Sequence, residues 1–162
     1  MKYEVMKKMI EYFQTDFRRI NHALKVVDFA QIISDDQTLD KKTKEIIIYA
    51  AILHDIGIKK AEKKYNSSIG RYQEIEGPPI AREMLSDLNI SEEIINRVCN
   101  IIGNHHSYTK IDRIDFQIIV EADMLVNIFE DNMSKEAIEN IKETVFKTEA
   151  GKKLISTMYL NK

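Results

Sequence analysis

Residues 46–53 read IIIYAAIL, and this run is apolar on every side of a helix. A helix without a polar face belongs in the interior of a protein, with other helices packed around it. Asp40 supplies a helix start before the run, and Gly57 supplies a C-terminal signal after it. The sequence therefore predicts a central helix between these two residues.

Further helices are predicted around this one, because apolar residues recur at intervals of three and four positions. They cover about residues 3–14, 17–33, 78–88, 91–103, 115–129 and 134–160. Residues 59–76 follow neither a helical nor a strand period, so we expect a long, partly irregular connection there. No pair of alternating stretches joined by a hairpin turn occurs in the sequence. The expected fold is all-α, a compact single-domain bundle of about seven helices over residues 1–162.

The composition limits the classes of partner and the compartment. The 162 residues include 26 acidic and 24 basic side chains, a formal charge of −2, which gives no electrostatic reason to bind nucleic acid or an anionic membrane. The longest apolar runs are about half the roughly 18 residues that a membrane span needs. A single cysteine, Cys99, suits a reducing compartment. We expect a cytoplasmic protein with no nucleic-acid partner and no membrane partner.

Two carboxylates are predicted to lie where an ionised group is costly. Asp55 follows His54 directly at the end of the central helix, and Asp123 borders the apolar stripe of the helix at 115–129. Burial penalises a charged carboxylate unless it is paired, hydrogen-bonded or bound to a cation. A bound metal ion would remove that penalty.

His22 adds a second imidazole from another helix, and Arg18 lies one turn before it on the same face. Two imidazoles and two carboxylates form a mixed nitrogen and oxygen site, which suits Mn, Fe, Mg, Co, Ni or Zn better than calcium or copper. Each residue also has a simpler interpretation, with His22 as a hydrogen-bonded core residue and Asp123 as a paired surface carboxylate. Spacing alone leaves both interpretations open.

Three stretches of sequence carry a resemblance to a known family: RINHALKV at 19–26, AAILHDIGI at 50–58 and EADMLVNI at 121–128. In order, neighbouring residues and helix context they resemble the H…HD…D signature of the HD-domain metal-dependent phosphohydrolases, an all-α family. The similar part of the chain spans about residues 17–130. The resemblance implies a divalent metal ion in a helical core, bound by His22, His54, Asp55 and Asp123. It also implies a phosphate ester or anhydride as the small-molecule substrate, and we expect a nucleotide.

A second metal ion depends on three positions in this resemblance. Relatives with two ions usually have a histidine four residues before the glycine of a stretch similar to EIEGPPIA (74–81), where this chain has Gln73. His105 and His106 match the paired histidine that such relatives contribute, so a weaker or partial second site stays open. Many relatives also read HDIGK, whereas this chain has Ile58 at the position of that lysine.

Hydrolysis by a metal-activated water needs residues in three roles. Asp55 is expected to be a catalytic ligand, and Glu74 or Glu76 is expected to orient or deprotonate the water. Solvated loop charges are another interpretation of these two glutamates. The candidate substrate-binding residues, which would neutralise the transferring phosphoryl group, are Arg18, Lys59, His105 and His106.

Two other classes of function are compatible with the sequence. The departures at Gln73 and Ile58 favour a regulatory module that keeps the metal pocket and binds a nucleotide without cleaving it. A purely structural helical protein is the third interpretation. The enzyme predicts phosphate release, the regulatory module predicts binding without turnover, and the structural protein predicts that no stoichiometric metal survives purification.

Overall fold

The structure, a computed structural model, describes residues 1–161, and residue 162, the last position of the predicted domain, lies outside them. The described part of the chain forms nine α-helices and no strand, which confirms the all-α prediction. The helices are α1 (Lys2–Phe13), α2 (Phe17–Asp35), α3 (Lys41–Leu53), α4 (Ile58–Tyr65), α5 (Gly70–Ser86), α6 (Glu92–Ile102), α7 (Ile114–Glu130), α8 (Lys135–Thr144) and α9 (Glu149–Ile155). A 3₁₀ turn at Tyr108–Lys110 precedes α7, and a π-helical turn at Ser156–Leu160 follows α9.

Capping side chains begin four of these helices, α2, α3, α8 and α9. The carboxylates of Asp16 and Asp40 accept hydrogen bonds from the backbone N–H groups of Arg19 and Thr43, at 3.2 and 2.9 Å. Ser134 caps the start of α8 in the same way, and Thr148 caps the start of α9. Each contact satisfies one of the N–H groups that a helix start leaves without a partner. The polar residues before these helices therefore decide where the chain turns into a helix.

Helix α3 lies at the centre of the fold, as its apolar run predicts. Every residue from 46 to 53 is at most 8% exposed, and α3 packs against α1, α2, α6 and α7. Burial of each large apolar side chain contributes about 1.5–3 kcal/mol, so this helix contributes strongly to folding. The helix ends at Leu53, and the next residue, His54, is fully buried.

Helices α2 and α7 pack against each other as well as against α3. Helix α7 is buried along nearly its whole length, polar residues included. Because the three helices meet pairwise, side chains on their facing sides converge on one interior point. None of the helices in residues 1–161 combines the length and the apolar character needed to cross a bilayer.

The prediction of an irregular connection over residues 59–76 is wrong. Helix α4 covers Ile58–Tyr65, and α5 begins at Gly70 after a short turn. Helix α4 buries Ala61 alone and exposes its charged side chains. A single buried alanine gives almost no apolar stripe, which is why the periodicity did not indicate this helix. Asn66, in the left-handed conformation, ends α4.

The predicted start of the helix at 78–88 is also wrong, because Pro78 and Pro79, the first two residues of that range, both lie inside α5. Proline has no N–H group, so each one removes a hydrogen bond to the carbonyl four residues earlier. Helix α5 packs against both α4 and α6. We attribute the survival of the helix through the two prolines to this packing, which the local sequence does not encode.

A buried glutamate divides the last predicted helix (134–160) into α8 and α9. Oε1 of Glu121 accepts from the backbone N–H groups of Lys147 and Thr148 at 2.6 and 3.0 Å. Oε2 accepts from the Thr148 hydroxyl at 2.5 Å, and a side chain at Gly151 would collide with the same oxygen. These contacts hold the break between the two helices, and they account for one of the two helices beyond the predicted seven; α4 is the other.

Two glycines bring the start of α4 into backbone contact with α5. A Cβ atom on Gly57 would lie 2.6 Å from the backbone nitrogen of Gly77, and one on Gly77 would lie 2.7 Å from Cγ2 of Ile102. Only glycine permits so close an approach. The contact fixes the distance between Asp55, just before Gly57, and Gln73, one turn before Gly77.

Candidate metal centre

Three helices bring the four predicted metal ligands to one place. His22 lies on α2, His54 and Asp55 follow the last residue of α3, and Asp123 lies on α7. The side chains of both histidines and of Asp123 are at most 11% exposed, whereas that of Asp55 is 22% exposed. The four side chains meet although 101 positions separate His22 from Asp123. We call them the first donor group.

The donor atoms of this group are close enough to share one cation. Nε2 of His22 lies 3.1 Å from Nε2 of His54 and 3.0 Å from Oδ1 of Asp123. Oδ2 of Asp55 lies 3.6 and 3.5 Å from the same two nitrogens. Ligands bound at about 2.1 Å lie about 3.0 Å apart in adjacent octahedral positions and about 3.4 Å apart in a tetrahedron. The observed spacing and the donor types therefore fit a divalent ion of the magnesium or first-row transition series.

Pairing inside the group shifts the pKa values of its members. Burial alone would lower the pKa of His54, but the charge of Asp55 and a hydrogen bond to Asp123 raise it to about 9. Burial would raise the pKa of Asp123, but hydrogen bonds from His22 and His54 lower it below its usual value. Both carboxylates stay ionised in this interior position. They favour positive charge at the point where the donors converge.

Hydrogen bonds orient both imidazole rings of the first donor group. Nδ1 of His54 donates to the carbonyl oxygen of Ala51 at 2.8 Å, which leaves Nε2 facing the other donors. Nδ1 of His22 donates to Oε2 of Glu130 at 2.9 Å. Sequence reasoning missed Glu130. The available signal was its position two helical turns after Asp123, on the same face of one helix.

Asp55 also belongs to a second donor group, which it forms with His105, His106 and Gln73. Oδ1 of Asp55 lies 3.4 Å from Nε2 of His105. One donor atom from each of Asp55, His105 and His106 lies within 4.8 Å of the others. Oε1 of Gln73 lies 3.3 Å from Nε2 of His106. The second donor group therefore includes a neutral amide oxygen. An imidazole in its place would bind a transition-metal ion more strongly.

Arg97 holds the loop between α6 and α7, which carries His105 and His106. Its guanidinium donates to both oxygens of Asp112 and both oxygens of Asp115, at 2.6–2.9 Å. Paired contacts of this kind are the strongest hydrogen bonds that arginine makes to carboxylates. At the start of the loop, Nδ1 of His105 donates to the carbonyl oxygen of Ile102 at 2.8 Å. The loop is therefore fixed at both ends.

Glu74, which the sequence predicted as a catalytic group, helps to hold the same loop. Its Oε1 accepts from the backbone N–H of His106 at 3.1 Å and from the hydroxyl of Ser107 at 3.3 Å. Among the described residues, Glu74 joins neither donor group. Its contacts are those of a structural residue beside the second donor group.

Glu76 and Lys59 lie in other surroundings than predicted. The carboxylate of Glu76 is 4% exposed and pairs with two lysines and a phenol: Lys60 at 3.1 Å, Lys64 at 2.7 Å and Tyr65 at 2.8 Å. Hydrogen bonding to Lys64 lowers the pKa of Glu76 to about 2 against the effect of burial. Lys59 donates to the carbonyl oxygen of Tyr12 at 2.6 Å and lies over the ring of the same residue. The structure does not bring either side chain to the donor groups.

A cavity of about 290 Å³ opens beside the first donor group. Its walls include His22 and Asp55 and, from the surrounding elements, Asp16, Arg18, Arg19, Ile58, Ser68, Asn127, Glu130 and Asp131. Arg19 is paired with Asp16 and with Glu62, each at 2.6 Å. Arg18 is exposed and makes no ion pair within residues 1–161. Its guanidinium is therefore available to an anion that enters the cavity.

Comparison with known proteins gives one match to a family and one to a fold. A model of the HD domain family matches residues 19–144. A crystal structure of a predicted HD superfamily hydrolase from an uncultured Thermotogales bacterium superposes with a TM-score of 0.70 at 22% sequence identity, over 97% of this chain and 84% of the other. No curated protein matches the sequence. The family match covers most of the chain and includes the helices that carry the first donor group, so the chain belongs to the HD domain family.

Proposed function

We propose that this chain is a divalent-metal-dependent phosphohydrolase that cleaves a small-molecule phosphate ester or anhydride, with a nucleotide as its substrate. Membership of the HD domain family supports this proposal. The observation that carries it is the first donor group, whose ligand atoms converge at the wall of a cavity that Arg18 also lines. At about 290 Å³ the cavity lies near the lower limit of roughly 300 Å³ for small-molecule sites.

The residues divide the proposed work between holding the cation and holding the substrate. His22, His54, Asp55 and Asp123 would hold a divalent ion such as Mn, Fe, Mg, Co, Ni or Zn, and His105 and His106 would contribute to a weaker second site. When bound, such an ion supplies a Lewis acid and a water of lowered pKa. Arg18 would bind phosphoryl oxygens at the mouth of the cavity, where negative charge accumulates during transfer.

The test is phosphate release by the purified chain. The protein is freed of metal with a chelator, reloaded with Mn²⁺ and assayed against nucleoside mono-, di- and triphosphates and a non-nucleotide phosphate monoester. We expect release of inorganic phosphate from at least one nucleotide, and its loss in Asp55→Ala. The Lys59→Ala variant is the matched control, since Lys59 contacts α1. Phosphate release by Asp55→Ala at the wild-type rate would contradict the proposal.

Two observations favour a second function, a metal- and nucleotide-binding regulatory module. Gln73 replaces a stronger ligand in the second donor group, and both candidate glutamates are engaged in structural contacts. A module of this kind predicts nucleotide binding by calorimetry in the presence of Mn²⁺ and no phosphate release from any nucleotide tested. That combination would replace the enzyme proposal.

We also propose that residues 1–161 form one domain that works in the cytoplasm. Buried residues from Val5 in α1 to Ile155 in α9 join one hydrophobic cluster, which supports a single unit. The single cysteine supports a reducing compartment. Limited proteolysis tests the first point, because a single domain yields no stable fragment corresponding to a few of the helices.

A further inference from the structure

Glu130 makes a contact to His22 that differs in kind from the contacts of the other ring nitrogens. Oε2 of Glu130 accepts from Nδ1 of His22 at 2.9 Å. The corresponding nitrogens of His54 and His105 donate to backbone carbonyl oxygens, each at 2.8 Å. His22 is therefore the one imidazole among these three whose outer nitrogen faces a carboxylate.

Both oxygens of this carboxylate are engaged, although Glu130 lines the cavity. Oε1 accepts from Nζ of Lys25 at 2.6 Å, while Oε2 holds His22. The side chain of Glu130 is 16% exposed, so it has little room to turn toward solvent. Lys25 lies nearly one turn after His22 on α2, and the two residues together hold the end of α7 against that helix. A carboxylate held in this way is poorly placed to take a proton from water.

We infer that Glu130 is a positioning residue, which fixes His22 with Nδ1 protonated and turns Nε2 toward the cation of the first donor group. The inference rests on the proposed metal site but not on turnover. A carboxylate behind a ligating imidazole orients the ring and increases its basicity, and its removal typically lowers metal affinity by 10–100-fold. Glu130, at the C-terminal end of α7, thereby couples this helix to His22 on α2. Helix α7 also carries Asp123.

The test compares three variants of the full chain by competition for Co²⁺ with a chromophoric chelator. We expect Glu130→Ala to bind Co²⁺ about 10–100-fold more weakly and to change the visible absorption of the bound ion. Glu130→Gln should restore most of the affinity, because an amide oxygen still accepts from Nδ1, as carbonyl oxygens do for His54 and His105. Lys25→Ala should bind within about 3-fold of wild type, since it breaks the ion pair and leaves the contact to His22.

The three variants separate positioning from two other roles. A purely structural ion pair would lower the melting temperature equally in Glu130→Ala and Lys25→Ala and leave Co²⁺ affinity unchanged in both, and this result would overturn the inference. If Glu130→Gln binds Co²⁺ normally but releases no phosphate from a nucleotide that wild type cleaves, Glu130 is a proton acceptor and the inference is also overturned. If wild type binds Co²⁺ and cleaves no nucleotide while Glu130→Ala loses affinity, the positioning role stands and the phosphohydrolase proposal fails.

Discussion

Oδ1 of Asp55 lies 3.4 Å from Nε2 of His105, although 50 positions separate the two residues. The other oxygen of the same carboxylate faces His22 and His54 at 3.6 and 3.5 Å. An ionised carboxylate has enough lone pairs to serve two cations at once. Asp55 therefore belongs to both donor groups, and a change at this residue affects both.

Replacement of Asp55 by asparagine keeps the shape of the side chain and removes its charge. We expect Mn²⁺ affinity to fall by more than about 100-fold, because even indirect contacts to a ligand contribute up to that amount. Phosphate release should be lost with it. Calorimetric titration with Mn²⁺ measures the first effect, and circular dichroism verifies that the helices remain. An asparagine variant with wild-type Mn²⁺ affinity would remove Asp55 from the metal site.

Replacement of Gln73 by histidine should complete the second donor group. The amide of Gln73 donates to the carbonyl oxygen of Ser68 at 2.5 Å and presents its oxygen to His106 at 3.3 Å. An imidazole is a stronger ligand for transition ions than an amide oxygen. We expect a second equivalent of Mn²⁺ or Zn²⁺ to survive dialysis in Gln73→His, with an affinity at least about 10-fold above wild type. Gln73→Ala is the control, and equal metal content in both variants would contradict the prediction.

Replacement of Arg18 by alanine should weaken substrate binding and also slow the chemical step, because its guanidinium would face the oxygens on which negative charge accumulates. A hydrogen bond to a charged group contributes about 1.5–3 kcal/mol, so KM should rise by roughly 10–100-fold. Arg18→Lys should recover part of this loss, because it keeps the charge and loses the paired geometry. Steady-state kinetics on the best nucleotide measures both. If Lys59→Ala raises KM as much as Arg18→Ala, the assignment of the phosphate contact to Arg18 is wrong.

Acid should destabilise the protein through Glu76. The pKa of this residue is lowered from 4.5 to about 2 in the folded chain, chiefly by its hydrogen bond to Lys64. Because the folded value lies below the unfolded one, the stabilisation is present above the unfolded value of 4.5 and is lost as the pH falls toward 2. Thermal melts at neutral and acidic pH measure the effect. We expect Glu76→Gln to be less stable than wild type at neutral pH, with the difference reduced at about pH 3 and nearly gone only below about pH 2.

This pH prediction is tested by comparing how far the melting temperature falls on acidification in wild type and in Glu76→Gln. Equal losses of melting temperature on acidification in wild type and Glu76→Gln would assign the acid sensitivity to other carboxylates. Since Glu76 lies outside both donor groups, the comparison is made on metal-free protein and needs no substrate.

Helical periodicity predicted those elements whose buried face is broad and apolar. Helix α3 is the clearest case, because Ile47, Ala50 and Leu53 are all fully buried. Helix α4 could not be found in this way, since Ala61 is its single buried residue. The continuation of α5 through Pro78 could not be predicted for a different reason. Packing of α5 against its neighbours there overrides the low helix propensity of proline.

The residues of the first donor group could be predicted from the sequence, but their supporting contacts could not. His54 and Asp55 are adjacent in the sequence, so a short sequence motif is enough to indicate that they act together. The contact between His22 and Glu130 joins positions 108 residues apart and leaves no local pattern. The same holds for Glu121, whose partners near residue 147 become visible only once α7 and α9 are packed together. Long-range hydrogen bonds between polar side chains have no period that a sequence could display.

The backbone contact between Gly57 and Gly77 limits how this protein can diversify. Side chains on the cavity wall, such as those of Ser68 and Asn127, can be exchanged in small steps without moving a helix. At the glycine crossing no such gradation exists, because a methyl group on Gly57 would have to displace the backbone of α5 and with it Gln73, and one on Gly77 would collide with Ile102. If this chain is selected for activity on a new substrate, substitutions should therefore accumulate among the residues that line the cavity, whereas Gly57 and Gly77 should stay unchanged.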